Sequence, residues 1–267
     1  MKAAIKSELV KEFEKTGRIS VPVIDVHTHM DDIYGASEPT DDIKGCIELA
    51  DKRGVKEIWC APHGDLFTYL TEPDIEKYMR EYPSRVRGYF GFNPNYSEEY
   101  AERLKTAKEK GYFGVKILPE YHKCRVDDET YRPALEWAHK YRRPLLVHTW
   151  GGSPYNSIEN VKYIAESYPE IRLILGHSAP NECDKAIELA AKHRNVYLDI
   201  CDIHRNSGVI ERMKFGAGAE KILYGTDLPW YDFAYCLGSV LYADITDADR
   251  EKILHKNAER IIGETVK

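Results

Sequence analysis

Two histidines separated by one residue, His27 and His29, are the side chains in this sequence best suited to chemistry. They lie in an apolar, β-branched run that predicts a strand, and because side chains alternate along a strand, both imidazoles share one face. Two imidazoles on one face can bind the same metal ion. The pair alone could equally fill a polar patch, so further ligands elsewhere in the chain are needed to separate these interpretations.

Three other potential ligands, His148, His177 and Asp227, end apolar runs further along the chain. Imidazole nitrogens with one carboxylate suit Zn²⁺, Fe²⁺ or Mn²⁺, and a coordination position left open for water makes such a site catalytic rather than structural. We therefore predict a divalent metal centre that holds one or two ions. Zinc is the ion expected first, with manganese and iron as alternatives.

Lys116 is a different kind of candidate because it lies inside the apolar run 114–118. A buried, unpaired ammonium is costly, so this group must be neutral, be paired or reach solvent. One solution is reaction of the neutral amine with CO₂ to give a carbamate, an anionic ligand that can bridge two metals. The other is an ammonium paired with a carboxylate such as Asp227. The sequence leaves both solutions open.

The elements that must position these residues alternate along the chain. Short apolar runs predict eight strands, at 23–29, 57–61, 86–92, 114–118, 145–149, 173–177, 196–200 and 222–227. Apolar residues at helical spacing between them predict helices at 97–110, 129–141, 157–168, 182–193 and 231–242. His139, His193 and His255 fall in helical patterns and are predicted to be solvated. Eight βα units in 267 residues favour an α/β fold of the single-domain (β/α)₈ TIM-barrel type over an open sheet.

The pattern divides the chain into an N-terminal amphipathic helical cap, 1–20, and the barrel, 21–267. The formal net charge of -6 comes from acidic and basic residues mixed along the chain, which argues against a nucleic-acid partner. Six scattered cysteines without a CxxC pair indicate reduced thiols, and no apolar stretch is long enough to cross a membrane. We expect a cytoplasmic protein with a small-molecule substrate, and homo-oligomer formation is left open.

Four motifs together resemble a known family: IDVHTH at 24–29, LGHS at 175–178, YGTDLP at 224–229 and KNAER at 256–260. With the strand-end ligands, they are similar to the amidohydrolase superfamily, and in particular to its "amidohydrolase 2" branch of TIM-barrel metal-dependent hydrolases. The resemblance covers nearly the whole chain. It is specific in combination, because an HxH or a GTD motif alone occurs in many unrelated proteins.

The resemblance implies roles for the strand-end residues. In the family, the residues that match His27, His29 and Asp227 bind the metal, and the aspartate also takes the proton from the metal-bound water. In members with a single metal, the match to His148 completes the site, and the match to His177 acts as acid, base or electrostatic stabiliser. Asp227 and His177 are therefore the expected catalytic residues.

In members with two metals, a carboxylated lysine at the position of Lys116 bridges the ions, and His148 and His177 hold the second ion. The implied activity is metal-dependent hydrolysis of an amide, lactone or ester bond in a small molecule. The branch also contains non-oxidative decarboxylases of small unsaturated or aromatic acids, which is the alternative. A barrel whose metal site is vestigial or regulatory is the third interpretation.

Residues just beyond the strands are candidates for substrate contact. His122 and Arg125 are the cations expected near the mouth of the barrel, where they could bind a carboxylated substrate. Trp150 and Asn93 are predicted to line the same mouth. The remaining candidates are chosen only because they follow a predicted strand: His63, Tyr121, Asn181, Asp202, His204 and Trp230.

Overall fold

The computed structural model describes residues 6–30, 42–63, 74–203 and 207–265. Within these ranges, eight parallel strands form one sheet in sequence order. The strands are β1 Val23–Met30, β2 Val55–Pro62, β3 Val86–Gly91, β4 Gly114–Ile117, β5 Pro144–His148, β6 Arg172–Gly176, β7 Val196–Asp199 and β8 Ile222–Leu223. Helices between successive strands complete the (β/α)₈ TIM barrel, so the predicted fold class is confirmed.

The barrel closes between β1 and the residues that follow β8. The backbone N–H of Val26 donates to the Tyr224 carbonyl at 3.0 Å, and that of Asp227 donates to the His27 carbonyl at 2.7 Å. The N–H of His29 then donates to the Leu228 carbonyl at 2.7 Å. Because these bonds occupy the edge of β1, the segment that carries Asp227 is held against the strand that carries both histidines.

Helices on the outside of the barrel follow the predicted pattern, with shifted ends. They are α1 Glu8–Thr16, α2 Ile43–Arg53, α3 Asp74–Glu81, α4 Ser97–Leu104, α5 Pro119–His122, α6 Arg132–Lys140, α7 Ile158–Ser167, α8 Cys183–Lys192, α9 Val209–Ala217, α10 Phe233–Leu241, α11 Asp247–Glu251 and α12 Asn257–Thr265, with a π-helical turn at Lys252–Lys256. Helix α4 is shorter than the predicted 97–110 because the chain continues from Lys105 in turns. No helix in the described ranges is long and apolar enough to cross a membrane.

Helix α1 lies within the segment predicted as a cap. The Ser7 hydroxyl accepts from the Val10 N–H at 3.1 Å and donates to Asp247 Oδ1 at 2.6 Å, which joins the start of the helix to α11. Leu9 and Val10 belong to the same buried cluster as the apolar residues between barrel and helices. Gly17 ends the helix in the left-handed conformation, φ 70°, which glycine adopts without a steric cost.

A second buried cluster lies inside the barrel, since all but one of its strands contribute to it. The members from the strands are Ile24, Val26, Trp59, Ala61, Tyr89, Leu146, Ile174, Tyr197 and Leu223, and α12 adds Ala258 and Ile261. Simple alternation from Ile24 and Val26 would turn His27 outward. The pairing of β1 with β2 shifts register between Asp25 and Thr28, where one extra residue forms a bulge. This bulge allows Val26 and His27 both to face the interior.

Three expectations from the sequence need correction. The predicted strand 222–227 pairs only at Ile222–Leu223, so Asp227 lies in the turn that follows, with φ 61°. His177 likewise lies one residue beyond β6, with φ 65°. His255 is buried rather than solvated, and its Nδ1 lies 3.1 Å from a carboxylate oxygen of Glu259, because the π-helical turn packs this face of the chain against the barrel.

Candidate metal centre

Three side chains bring ligand atoms together at the carboxyl end of the barrel. His27 Nε2 lies 3.3 Å from His29 Nε2 and 3.2 Å from Asp227 Oδ1, and His29 Nε2 lies 3.3 Å from the same oxygen. These atoms form a group that could hold a metal ion. Two neutral imidazoles and one carboxylate are donors that Zn²⁺, Mn²⁺ and Fe²⁺ accept.

Asp25 explains how the first strand and the turn after β8 are held together. Its Oδ1 accepts from the backbone N–H groups of His27 at 3.0 Å and Thr226 at 3.2 Å. Its Oδ2 accepts from the Thr226 hydroxyl at 2.6 Å. The side chain is fully buried, and burial raises the pKa of Asp25 well above its usual value. Asp25 therefore connects the backbone of one ligand with the residue before Asp227.

Lys116 points into the same cluster. Its Nζ lies 2.8 Å from His27 Nε2, and the side chain is fully buried. Its hydrogen-bond partner is the His27 imidazole, and the choice between a carbamate and a paired ammonium stays a prediction. Burial lowers the pKa of Lys116 to about 8, so the neutral amine is well populated in mildly alkaline solution.

His148 and His177 lie beside this group. Their ring centroids are 4.7 Å apart, and the His177 ring is 5.2 Å from that of His27. Asn156 fixes the end of β5 by donating to the His148 carbonyl at 2.7 Å. His177 Nδ1 lies 3.2 Å from Cys201 Sγ, so the structure also places a cysteine at this site.

Burial controls the protonation of the cluster. It lowers the pKa of His148 to about 3, and it holds the pKa values of His27, His29 and His177 well below their usual value. Burial would raise the pKa of Asp227, but the neighbouring histidines and Lys116 together keep it below its usual value. The histidines are therefore neutral at pH 7 and Asp227 is ionised, the protonation states that metal binding needs.

Aromatic rings surround the cluster at the mouth. Trp150 stacks on His148 with centroids 5.9 Å apart and an interplanar angle of 8°, and it lies 5.5 Å from His177. Tyr121 also contacts His148, with ring centroids 5.2 Å apart, and Trp230 lies 5.6 Å from His29. The predicted position of Trp150 at the mouth agrees with this geometry, while its contact with substrate stays a prediction.

The other three predicted substrate-binding residues have partners within the protein, and their contact with substrate stays a prediction. His122 is buried, with its Nδ1 2.6 Å from the Tyr131 hydroxyl. Arg125 forms a bidentate pair with Asp127 at 2.9 and 2.7 Å, which neutralises the cation expected at the mouth. Asn93 is buried, and its side chain accepts from the N–H of Asn95 at 3.0 Å.

Two further expectations have a different outcome. His204 and the loop 31–41 lie outside the described residues. His63 is half-buried, with its ring 5.4 Å from His29 and 4.9 Å from Trp230, and burial lowers the pKa of His63 to about 4. His63 therefore lies next to His29, a contact that its position after β2 did not predict.

The site also contains residues that sequence reasoning missed, namely Asp199 and Cys201. Asp199 Oδ2 lies 2.7 Å from His27 Nδ1, and Cys201 Sγ lies 2.8 Å from the same carboxylate oxygen. Both side chains are buried, and burial raises the pKa of the Cys201 thiol well above its usual value. A polar residue at the end of an apolar run was the signal that identified Asp227, and it could have identified Asp199 as well.

The protein is thus a TIM barrel with histidine and aspartate side chains gathered at the carboxyl ends of its strands. The family model described as "Amidohydrolase" matches residues 24–263. The chain belongs to this amidohydrolase family, as the four motifs predicted. No curated protein matches the chain by sequence.

Solved structures share the barrel at low identity. An "uncharacterized TIM-barrel protein" from Bordetella bronchiseptica matches with a TM-score of 0.80 and 17% identity, covering 92% of this chain and 100% of its own. The 5-carboxyvanillate decarboxylase of Sphingomonas paucimobilis matches with a TM-score of 0.71 and 15% identity, covering 91% and 99%. A dihydroxybenzoic acid decarboxylase from Polaromonas, with bound manganese and 2-nitroresorcinol, matches with a TM-score of 0.71 and 16% identity, covering 91% and 97%. At these identities, the likeness establishes the shared fold.

The lowered pKa of Lys116 leads to a first testable prediction. We expect added bicarbonate to raise the metal bound per chain from about one ion to about two, because the neutral amine can attack CO₂, lose a proton and supply a bridging carbamate. Metal analysis of dialysed protein with and without bicarbonate measures this. Lys116→Met is the matched control and should show no response. An equal metal content of the wild type under both conditions would show that Lys116 remains an amine.

Proposed function

We propose that this protein is a metal-dependent decarboxylase of a small aromatic or unsaturated carboxylic acid. The observation that carries the proposal is the pair of indole rings at the histidine cluster: Trp230 lies against His29 of the ligand group, and Trp150 lies against the neighbouring His148 and His177. Flat aromatic walls next to ligands for a cation suit a flat, anionic substrate. Decarboxylases of aromatic acids that share this barrel support the assignment.

The ligand group fits a divalent ion on its own chemistry. All three donor atoms belong to side chains that are buried or nearly so, and their protonation states leave the lone pairs available. When bound, the ion would polarise the carboxylate and a neighbouring hydroxyl group of the substrate. Zinc was expected first from the sequence, and manganese is the ion bound in the Polaromonas decarboxylase. This donor set accepts either ion.

Asp227 and His177 are the residues proposed to move protons. In the reaction, the bond between the ring carbon and the carboxylate carbon breaks, the electron pair stays on the ring carbon, and CO₂ leaves. Asp227, ionised in the resting protein, would accept the proton of the substrate hydroxyl group and return a proton to that carbon. His177, neutral and buried near it, would be the second proton carrier and, once protonated, would stabilise the charge that develops.

The test is to supply carboxyl-labelled aromatic acids to protein loaded with Mn²⁺ or Zn²⁺. We expect labelled CO₂ from at least one acid in a panel that includes 2,6-dihydroxybenzoate and 5-carboxyvanillate, with no net addition of water. Asp227→Ala should release none. Titration of new acid from a panel of amides, lactones and esters, without CO₂ from any aromatic acid, would contradict decarboxylation.

Hydrolysis is the second candidate, and the position of Asp227 favours it. Asp227 Oδ1 lies within 3.3 Å of both imidazole nitrogens of the ligand group, where the same carboxylate could take a proton from an attacking water molecule. The substrate would then be an amide, lactone or ester, as the family resemblance implied. The acid-release assay described above distinguishes this reaction from decarboxylation.

A further inference from the structure

Asp199, at the end of β7, is the centre of a buried hydrogen-bond network around two of the histidines. Its Oδ2 lies 2.7 Å from His27 Nδ1 and 2.8 Å from Cys201 Sγ, and it accepts from the His177 N–H at 3.3 Å. Its Oδ1 accepts from the Cys201 N–H at 3.1 Å. All four residues are buried. Because a carboxylate only accepts hydrogen bonds, each of these partners must donate to it.

This requirement determines the tautomer of His27. Its Nδ1 must carry the proton that is donated to Asp199, which leaves a lone pair on Nε2. Lys116 agrees with this assignment, since its Nζ lies 2.8 Å from that Nε2 and both its ammonium and its neutral amine carry N–H groups that can donate to the lone pair. The two sides of the ring therefore agree, and Nε2 is the atom that faces His29 and Asp227.

Cys201 extends the same logic to His177. A thiolate next to the Asp199 carboxylate would place two buried anions in contact, so the thiol keeps its proton and donates it to Asp199 Oδ2 at 2.8 Å. The sulfur can then accept from His177 Nδ1, 3.2 Å away. This arrangement leaves the lone pair of His177 on Nε2, the ring atom on the side away from Cys201.

We propose that Asp199 and Cys201 are positioning residues that hold His27 and His177 in the tautomer with a free Nε2 lone pair. The inference rests on the proposed metal-dependent function, because only a metal or a substrate proton needs these lone pairs. Groups that fix the tautomer of a metal-binding histidine typically change metal affinity by about 10–100-fold when they are removed.

Gly225 is further evidence that the chain is built around this network. A Cβ at this position would overlap the Asp199 carboxylate and lie 3.0 Å from His27 Cβ. Only glycine allows the residue after Tyr224 to pass so close to both side chains. The turn that carries Asp227 can therefore approach β1 while Asp199 remains in contact with His27.

Two substitutions separate the network from simple packing. In Asp199→Asn, the amide can take two orientations, and each directs the NH₂ group at one backbone N–H, either that of Cys201 or that of His177. The orientation that keeps the bond from the Cys201 N–H directs the NH₂ group at His27 Nδ1 as well. This orientation is the one expected, because it places the NH₂ group against the more distant of the two backbone N–H groups, that of His177 at 3.3 Å rather than that of Cys201 at 3.1 Å, and it moves the His27 proton to Nε2. Cys201→Ala removes the link to His177, whereas Cys201→Ser keeps a hydroxyl that can both donate and accept.

The direct measurement is the histidine tautomer in metal-free protein, read from long-range ¹H–¹⁵N spectra of ¹⁵N-histidine-labelled chain. Signals of His27 and His177 are assigned by their loss in His27→Gln and His177→Gln. In the wild type, we expect both rings to carry the proton on Nδ1. In Asp199→Asn, the His27 proton should move to Nε2. In Cys201→Ala, the tautomer of His177 should change, and Cys201→Ser should restore it. Cys46→Ala, which removes a buried thiol on α2, should change neither ring.

A second measurement uses Co²⁺, whose affinity is obtained by competition with a chromophoric chelator. We expect Asp199→Asn to weaken Co²⁺ binding by about 10–100-fold and Cys201→Ser to stay close to wild type. A His27 proton on Nε2 in the wild type, or unchanged tautomers and Co²⁺ affinity in folded Asp199→Asn and Cys201→Ala, would overturn the inference. Neither measurement requires turnover, so a wild type that shows the network but releases neither CO₂ nor acid would refute only the proposed function.

Discussion

The His27→Ala and Asp227→Ala proteins are expected to lose both the bound metal and the catalytic activity. Each of these residues supplies one of the donor atoms that lie 3.2–3.3 Å apart, and two remaining donors hold a divalent ion poorly. We expect kcat to fall by on the order of 10⁴ or more, since Asp227 is also the proposed proton carrier. Metal analysis of protein purified with excess metal, together with steady-state kinetics, measures both effects.

His193→Ala provides the matched control, because this half-buried histidine follows α8 and precedes β7, at the other end of that strand from Asp199, and Lys221 bonds to its backbone carbonyl. It should keep full metal content and activity. Thermal denaturation of all three variants without metal separates loss of a ligand from loss of the fold. A wild-type protein that is free of metal after metal-replete expression and yet fully active would contradict this prediction.

The His177→Asn protein is expected to keep its metal and lose most of its activity. His177 is 5.2 Å from the His27 ring but is outside the group of His27, His29 and Asp227, so its removal should leave those donors in place. As a proton carrier it should contribute on the order of 10²–10⁴ in kcat. Burial holds the pKa of His177 well below its usual value. Its neutral form is lost as pH falls through that pKa, so the variant should lack the acid limb of the pH–rate profile.

Metal content distinguishes the two roles that the family resemblance implied for His177. A loss of about one ion per chain, with the ion at His27 retained, would identify His177 as a ligand of a second metal instead. Turnover and metal content near those of the wild type would show that the residue has no role in the reaction. His193→Asn makes the same chemical change away from the cluster and should leave both quantities unaltered.

The sequence predicted the barrel well because its signals are local and repeated. Each of the eight predicted strands overlaps an observed one, since a short β-branched run between helical patterns has few other solutions. The ends of these strands were less predictable. Tertiary contacts decide where a ladder stops, as at β8, where the backbone bonds of Asp227 and Leu228 to β1 replace the pairing expected through residue 227.

The direction of side chains near the mouth is the part of the site that the local sequence determines least. His122 and Arg125 were predicted to bind a substrate carboxylate, which stays a prediction, and in the structure His122 bonds to Tyr131 while Arg125 pairs with Asp127. Both partners are within ten residues in the chain, yet a short loop can orient a side chain in either direction. The sequence alone does not show which orientation of the side chain has the lower free energy.

By itself, the sequence determined the fold class, the family and the types of residue at the ends of the strands. His27 and His29 share a face because a strand alternates, and His148, His177 and Asp227 end runs that must all open at the same side of a parallel barrel. These conclusions need only local periodicity and the rule that parallel strands share a direction.

Only the tertiary structure decided how these side chains meet. The bulge in β1 turns His27 inward, the turn after β8 brings Asp227 to it, and Lys116 and Asp199 come from separate strands to the two nitrogens of its ring. Each contact joins residues that are distant in sequence. Their distances and tautomers depend on packing and desolvation in the assembled barrel, which no local pattern of residues encodes.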